Sequence, residues 1–169
     1  MPRSKTSLPN ATAPVSPNEE WLRLDVQLCF ALYSSSLAMT KFYKPLLDPL
    51  GLTYPQYLAM LVLWEQDGIS VSALGQKLSL DSGTLTPLLK RLEAAELITR
   101  ERAADDERRV HLHLSKAGRA LKKKAAGIPA QVACASACSI EELSSLTRRL
   151  HELRTQIQAA STVPVPITV

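Results

Sequence analysis

Val110-His111-Leu112-His113-Leu114 alternates apolar and polar side chains, the period of a strand that lays one face on a core. Leu97-Ile98-Thr99-Arg100-Glu101-Arg102 reads as its partner, with Val110 and the leucines turned inward and both histidines outward. Elsewhere the apolar residues recur at three and four, the period of helices. The expected fold is therefore mainly α with a small β-hairpin.

The helices can be placed from their end signals. A first helix is expected from Glu19 to Asp48, closed by Pro49 and Gly51. Thr53-Tyr54-Pro55-Gln56 has capping-box form and opens a second helix through Tyr57–Trp64, apolar nearly all round and so a core element. Gly68 ends it, Ser70 or Val71 begins a short third helix to Leu78, and after Ser79-Leu80-Asp81 a fourth runs through Thr84–Glu93. Pro87 either sits in the first turns of a fourth helix that starts late or bends it. The fourth helix carries Leu85, Leu88, Leu89 and Leu92 on one side and Ser, Thr, Lys and Arg on the other. Two such helices joined by a short turn have helix-turn-helix form, or form an ordinary αα-hairpin with a solvated face.

The hairpin that follows favours the first of these. Its loop, Ala103-Ala104-Asp105-Asp106-Glu107-Arg108-Arg109, is tipped with two arginines. A basic hairpin directly after a candidate recognition helix is the layout of a winged helix-turn-helix, in which the helix enters the major groove and a wing-tip arginine reaches the narrow minor groove. Candidate DNA contacts are Ser82, Thr84, Thr86, Lys90 and Arg91 from the helix and Arg108 and Arg109 from the wing. Arg109 has the alternative of bracing the loop by pairing with Asp105 or Asp106. His111 and His113 lack an acidic or cysteine partner nearby, so no metal or other cofactor is expected.

Charge and composition agree with this without establishing it. A chain of 169 residues with 46% hydrophobic residues is one domain or one extended protomer, and a formal charge of +4 permits nucleic-acid binding. No apolar run approaches the length of a membrane span, and Met1-Pro2-Arg3-Ser4-Lys5 is followed by polar residues rather than a signal-peptide core. A cytoplasmic protein with free thiols is expected. The proline-rich residues 1–18 and the end at 161–169 read as disordered tails. Between them lie a sensing and dimerisation helix at 19–50, a winged helix at 51–114, and C-terminal dimerisation helices at 115–160.

One thiol stands apart. Cys29, the only cysteine before residue 134, lies on a helical stripe with Tyr33, Ser36, Thr40 and Tyr43, beside the apolar face of Leu28, Leu32, Met39 and Leu46. It is either a small buried hydrophobe or a reactive thiol, whose charged or oxidised form needs hydrogen-bond donors once it leaves water. Near the end, Ser115–Ala126 reads as a basic helix start with Lys122-Lys123-Lys124 solvated, and Gly127 and Pro129 should bend or loosen its continuation. Ser139-Ile140-Glu141-Glu142 is a second capping box. Leu143, Leu146, Leu150, Leu153 and Ile157 then form a narrow stripe suited to a partner helix, or to the chain's own first helix. Cys134 and Cys138 sit between these two helices, one helical turn apart.

The wing segment Leu97–Leu114, with Asp106-Glu107-Arg108-Arg109, resembles the MarR-type winged-helix regulators. Leu28-Cys29-Phe30-Ala31-Leu32-Tyr33, Tyr43-Lys44-Pro45-Leu46-Leu47, Leu52-Thr53-Tyr54-Pro55-Gln56-Tyr57 and the stretch from Leu80 to Arg91 are similar to their organic-hydroperoxide-sensing branch, the OhrR-type repressors, over about Leu24–Leu153. The resemblance implies a homodimer in which Cys29 reacts with an organic hydroperoxide admitted near Phe30, Leu32 and Phe42. Tyr43 and Tyr54 would hydrogen-bond to the thiol from the other subunit, with Tyr33 a further candidate on its own stripe. Fourteen residues of helix span about 21 Å, so Tyr43 reaches Cys29 of its own chain only if that helix breaks. The resemblance further implies a two-cysteine sensor, with Cys134 resolving the sulfenic acid as an intersubunit disulfide and Cys138 the alternative. Oxidation would release an inverted-repeat operator in double-stranded DNA. Release by a small aromatic ligand without cysteine chemistry is the alternative, and a thiol peroxidase a weaker one.

Overall fold

Most of the helix starts coincide with a side chain that satisfies a free amide. In the computed structural model, which describes residues 19–102 and 109–161, Ser70, Asp81, Ser115 and Ser139 accept from the backbone N–H of Ala73, Thr84, Gly118 and Glu142 at 2.9 to 3.2 Å. Such caps offset the unpaired donors of a first turn. Ser139 and Glu142 complete a capping box, and the Gln56 side-chain oxygen accepts from the Thr53 N–H at 2.8 Å. The helices are α1 (Leu28–Leu47), α2 (Tyr54–Glu65), α3 (Val71–Leu78), α4 (Ser82–Ala94), α5 (Lys116–Ala125), α6 (Ile128–Ala135) and α7 (Ile140–Ala160). The strands β1 (Ile98–Arg102) and β2 (Val110–Leu114) pair antiparallel, with Ile98 opposite Leu114 and Arg102 opposite Val110.

The chain divides into two units, the first reaching to Lys41 and the second beginning at Phe42. In the first, two short 3₁₀ turns, Glu19–Leu22 and Leu24–Val26, precede α1. The continuous helix expected from Glu19 is therefore corrected. Arg23 and Gln27 have extended backbone at ψ 138° and 116°, and the Gln27 side-chain amide donates back to the Trp21 carbonyl, so the helix first closes at Leu28. Pro45 sits inside α1 without ending it. Leu28, Leu37 and Met39 are exposed.

The second unit holds the core. Tyr57, Met60 and Leu63 of α2, Leu74 of α3, Leu85, Leu89 and Leu92 of α4, and Ile98 and Leu112 of the hairpin are all buried, joined by Leu47, Leu121, Ala125 and Ile128. The α2 periodicity thus describes a helix packed on several sides, and the helix-turn-helix is built on it. Pro87 lies in the second turn of α4, which begins at Ser82 rather than late. Both β2 histidines lie on the face opposite the buried Leu112 and Leu114, and are half-buried there. His111 Nδ1 lies 2.8 Å from the Gly68 carbonyl oxygen, and His111 forms a bridge with Ser70 that extends the hairpin towards α3.

The C-terminal helices follow their signals with one change. Gly127 is the N-cap of α6 and Pro129 lies in its first turn, so they restart a helix rather than loosen one. Lys122 is not merely solvated, because its Nζ donates to the Trp64 carbonyl at 2.9 Å. No helix among the described residues is long and apolar enough to cross a membrane. The two expected tails lie outside the described residues, apart from Ser161.

Candidate functional site

The helix offered for groove reading is held from behind and open in front. Leu85, Leu88, Leu89 and Leu92 anchor α4 in the core, leaving Ser82, Thr84, Thr86, Lys90 and Arg91 exposed. The Thr84 hydroxyl donates to Asp81 Oδ2 at 2.9 Å and the Thr86 hydroxyl to the Ser82 carbonyl at 2.7 Å. Both hydroxyl protons are thus committed, leaving the oxygens to accept from a base amino group or an ordered water. The backbone and hydroxyl bonds from Thr84 hold the Asp81 carboxyl below its usual range, so the cap stays charged. Arg109 is exposed at the base of the wing, while Arg108, Asp105 and Asp106 lie outside the described residues.

Wing and helix are tied by a pair that spacing did not suggest. Arg100 of β1 donates through Nε to Glu93 Oε2 of α4 at 2.8 Å, and its Nη2 bonds the same oxygen. Both side chains are about a third exposed, and the pairing holds the Glu93 carboxyl low and the Arg100 guanidinium high. Seven residues separate them across a turn, a distance for which no sequence periodicity carries a signal.

Cys29 lies in the first turn of α1 and is exposed, so the buried-hydrophobe reading does not hold in this chain. Its thiol faces Gln27 Oε1 at 3.8 Å. Tyr33 is 62% exposed, and Phe30, Leu32 and Phe42 are exposed.

Tyr43 and Tyr54 are brought together, with ring centroids 4.7 Å apart at 41°. Tyr57 completes the cluster 5.7 Å from Tyr43, and Trp64 meets Tyr57 edge-on at 6.2 Å. Burial, then the neighbouring phenols, push the Tyr43 hydroxyl up to about 12; burial raises Tyr54, and burial then Tyr54 raises Tyr57. The phenols are therefore held as neutral donors. The sequence assigns Tyr57 a place in the second helix but no role in the site, although its i+3 spacing from Tyr54 on α2 puts both on one face.

Cys134 and Cys138 are both exposed, but they do not sit on consecutive turns of one helix. Cys134 is in the last turn of α6, Ala137 takes a left-handed φ of 52°, and Cys138 follows in the link to α7. The Cys138 thiol donates to the Ser136 carbonyl at 3.3 Å. α6 closes at its C-cap Ser136, whose N–H donates to the Val132 carbonyl at 3.0 Å, and the Ser139 cap begins the next helix.

Comparison with known proteins places this geometry. Residues 41–125 match a family described as transcriptional regulator SarA/Rot. The organic hydroperoxide resistance transcriptional regulator of Bacillus subtilis (strain 168) is 52% identical over 132 residues, covering 78% of this chain and 90% of its own. Among solved structures, reduced AbfR bound to DNA has a TM-score of 0.69 at 33% identity, covering 82% of this chain and 97% of that one; AbfR is a Staphylococcus epidermidis protein. The disulfide form of AbfR matches with a TM-score of 0.55 at 36% identity, over 80% of this chain and 95% of that one.

Proposed function

The chain belongs to the MarR-type winged-helix transcriptional regulators, in their organic-hydroperoxide-sensing OhrR branch, and on that basis we propose that Cys29 is its sensor. It is a DNA-binding transcriptional repressor with a cysteine-based redox mechanism, and not an enzyme. In the reduced state a cytoplasmic homodimer holds an inverted-repeat operator, with α4 of each subunit in a major groove and each wing in a flanking minor groove. Ser82, Thr84, Thr86, Lys90 and Arg91 face the DNA from α4, and Arg108 and Arg109 from the wing.

The Cys29 thiolate attacks the distal oxygen of an organic hydroperoxide. The O–O bond breaks, the alkoxide leaves and takes up a proton to become the alcohol, and the sulfur becomes a sulfenic acid. The thiol of Cys134 in the partner subunit displaces that hydroxyl as water, and the disulfide forms. A disulfide needs the two Cα atoms within about 7 Å, so closing it moves the C-terminal helices and turns the winged helices out of register with the grooves. Reduction reverses the change.

The observation that carries this reading is the cluster of neutral phenols at Tyr43 and Tyr54. A thiolate or sulfenic acid taken out of water requires donors, and a protonated phenol is one.

The test is operator binding by wild type and Cys29→Ser, before and after stoichiometric organic hydroperoxide and again after dithiothreitol, with a non-reducing gel on the same samples. Only the wild type should release DNA, reversibly and as a cross-linked dimer. Cys134→Ser should lose the cross-link, and Cys138→Ser should keep it. Equal release by wild type and Cys29→Ser, or release by neither, would show that Cys29 is not the sensor. Equal release would favour a small-ligand repressor.

A further inference from the structure

A single carboxylate stands where three elements of the winged-helix unit meet. Asp67, in the turn after α2, accepts through Oδ1 from the Leu114 N–H at the end of β2 at 2.8 Å and from the Gly68 N–H at 3.0 Å. Through Oδ2 it accepts from Arg119 Nη2 of α5 at 2.8 Å. Charge assistance makes these bonds stronger than neutral ones.

Neighbouring bonds make the junction stiff on both sides. Towards the wing, the Gly68 N–H donates to the Leu112 carbonyl at 3.0 Å and the Leu112 N–H to the Ile69 carbonyl at 2.9 Å. Towards α5, Trp64 Nε1 donates to the Gly118 carbonyl at 2.9 Å and Lys122 Nζ to the Trp64 carbonyl at 2.9 Å. Between β2 and α5 the chain itself provides one residue, Ser115. That link is itself tied, its N–H donating to the Leu97 carbonyl at 3.0 Å and its Oγ to the Glu96 carbonyl at 2.6 Å, and Asp67 bridges both sides of it. Beyond α5 the chain runs, through two residues, into α6 and Cys134.

We propose that Asp67 is the positioning residue that couples movement of the C-terminal helices to the wing, so that disulfide closure is transmitted through Arg119 and Leu114 rather than absorbed at Ser115. The proposal rests on the redox reading above and adds the route by which oxidation reaches the DNA-binding surface. Coupling of this kind is a difference in affinity between two states, and it is tested as such and not inferred from position.

The experiment uses full-length wild type, Asp67→Asn, Arg119→Gln and Arg119→Lys. Operator Kd is measured reduced and after organic hydroperoxide, with the disulfide fraction read on a non-reducing gel. The Arg119 side chain is 58% exposed, so its variants leave the fold intact if Asp67→Asn does not. All variants should cross-link like wild type. The ratio of oxidised to reduced Kd should fall at least about threefold in Arg119→Gln, in keeping with a partly exposed charge pair. It should fall further in Asp67→Asn and stay within about twofold of wild type in Arg119→Lys. A wild-type ratio in Arg119→Gln overturns the proposal, as does equal loss in Arg119→Lys and Arg119→Gln. If the wild type neither cross-links nor releases DNA, the redox reading itself fails and the proposal falls with it. Cross-linking and release by the wild type with unchanged variants would overturn the Asp67 route alone.

Discussion

Gly118 shows how much a single position can demand without any sequence signal. It lies buried in the first turn of α5, and a Cβ there would fall inside the contact shell of the Leu97 carbonyl oxygen, a backbone atom that cannot swing aside. The same approach lets Trp64 Nε1 reach the Gly118 carbonyl. Gly118→Ala, which improves helix propensity, should nonetheless destabilise the protein by about 1–3 kcal/mol through overpacking. Urea unfolding measures this, and an unchanged midpoint would refute the close approach. The exposure of Cys29 is likewise a matter of one residue's surroundings, and the thiol's apolar neighbours in sequence argued as well for a buried side chain.

Between elements, the end of α1 and the start of α2 meet through Tyr43, Tyr54 and Tyr57. Their phenols are raised above the ordinary value of 10.0, Tyr43 to about 12. A raised folded value means that the native state keeps protons the unfolded chain has lost, so this contribution to stability is complete below pH 10 and disappears as pH rises through about 12. Phenolate absorbance in an alkaline titration should therefore lag in the folded protein and lose that lag in urea. Coincident curves would show that the cluster is solvated. The Glu93–Arg100 pair plays a similar linking part between α4 and β1, fixing the wing against the helix it accompanies. In the first unit, by contrast, propensity alone overran the helix start, because Arg23 and Gln27 adopt extended backbone that an apolar pattern does not announce.

At the scale of the molecule, the large exposed apolar side chains among the described residues lie on the elements read as dimerising. Ile140, Leu146, Leu150 and Ile157 of α7 are 75%, 54%, 37% and 53% exposed in the single chain. Burying a leucine contributes roughly 1.5–3 kcal/mol, so replacing Leu146 and Leu150 together by Asp should raise the dimer dissociation constant by at least about a hundredfold. Sedimentation at several concentrations measures the shift, and an unchanged association would place the interface elsewhere. What the sequence determined by itself was the series of elements from α2 to α5, and the start of α7, because caps such as Asp81 and Ser139, the leucines of α4 and the alternation of β2 all act within a few residues of themselves. It also marked Cys29 and Tyr43, a thiol and a phenol on one helical stripe, while Tyr54 was marked only through the resemblance of its segment. Only the tertiary structure decided that Tyr57 joins the phenols, that Arg100 braces Glu93, that Cys134 and Cys138 fall on either side of a helix end, and that Asp67 bridges β2 and α5. Those contacts join atoms far apart along the chain or depend on where a backbone stops, and no local period encodes them.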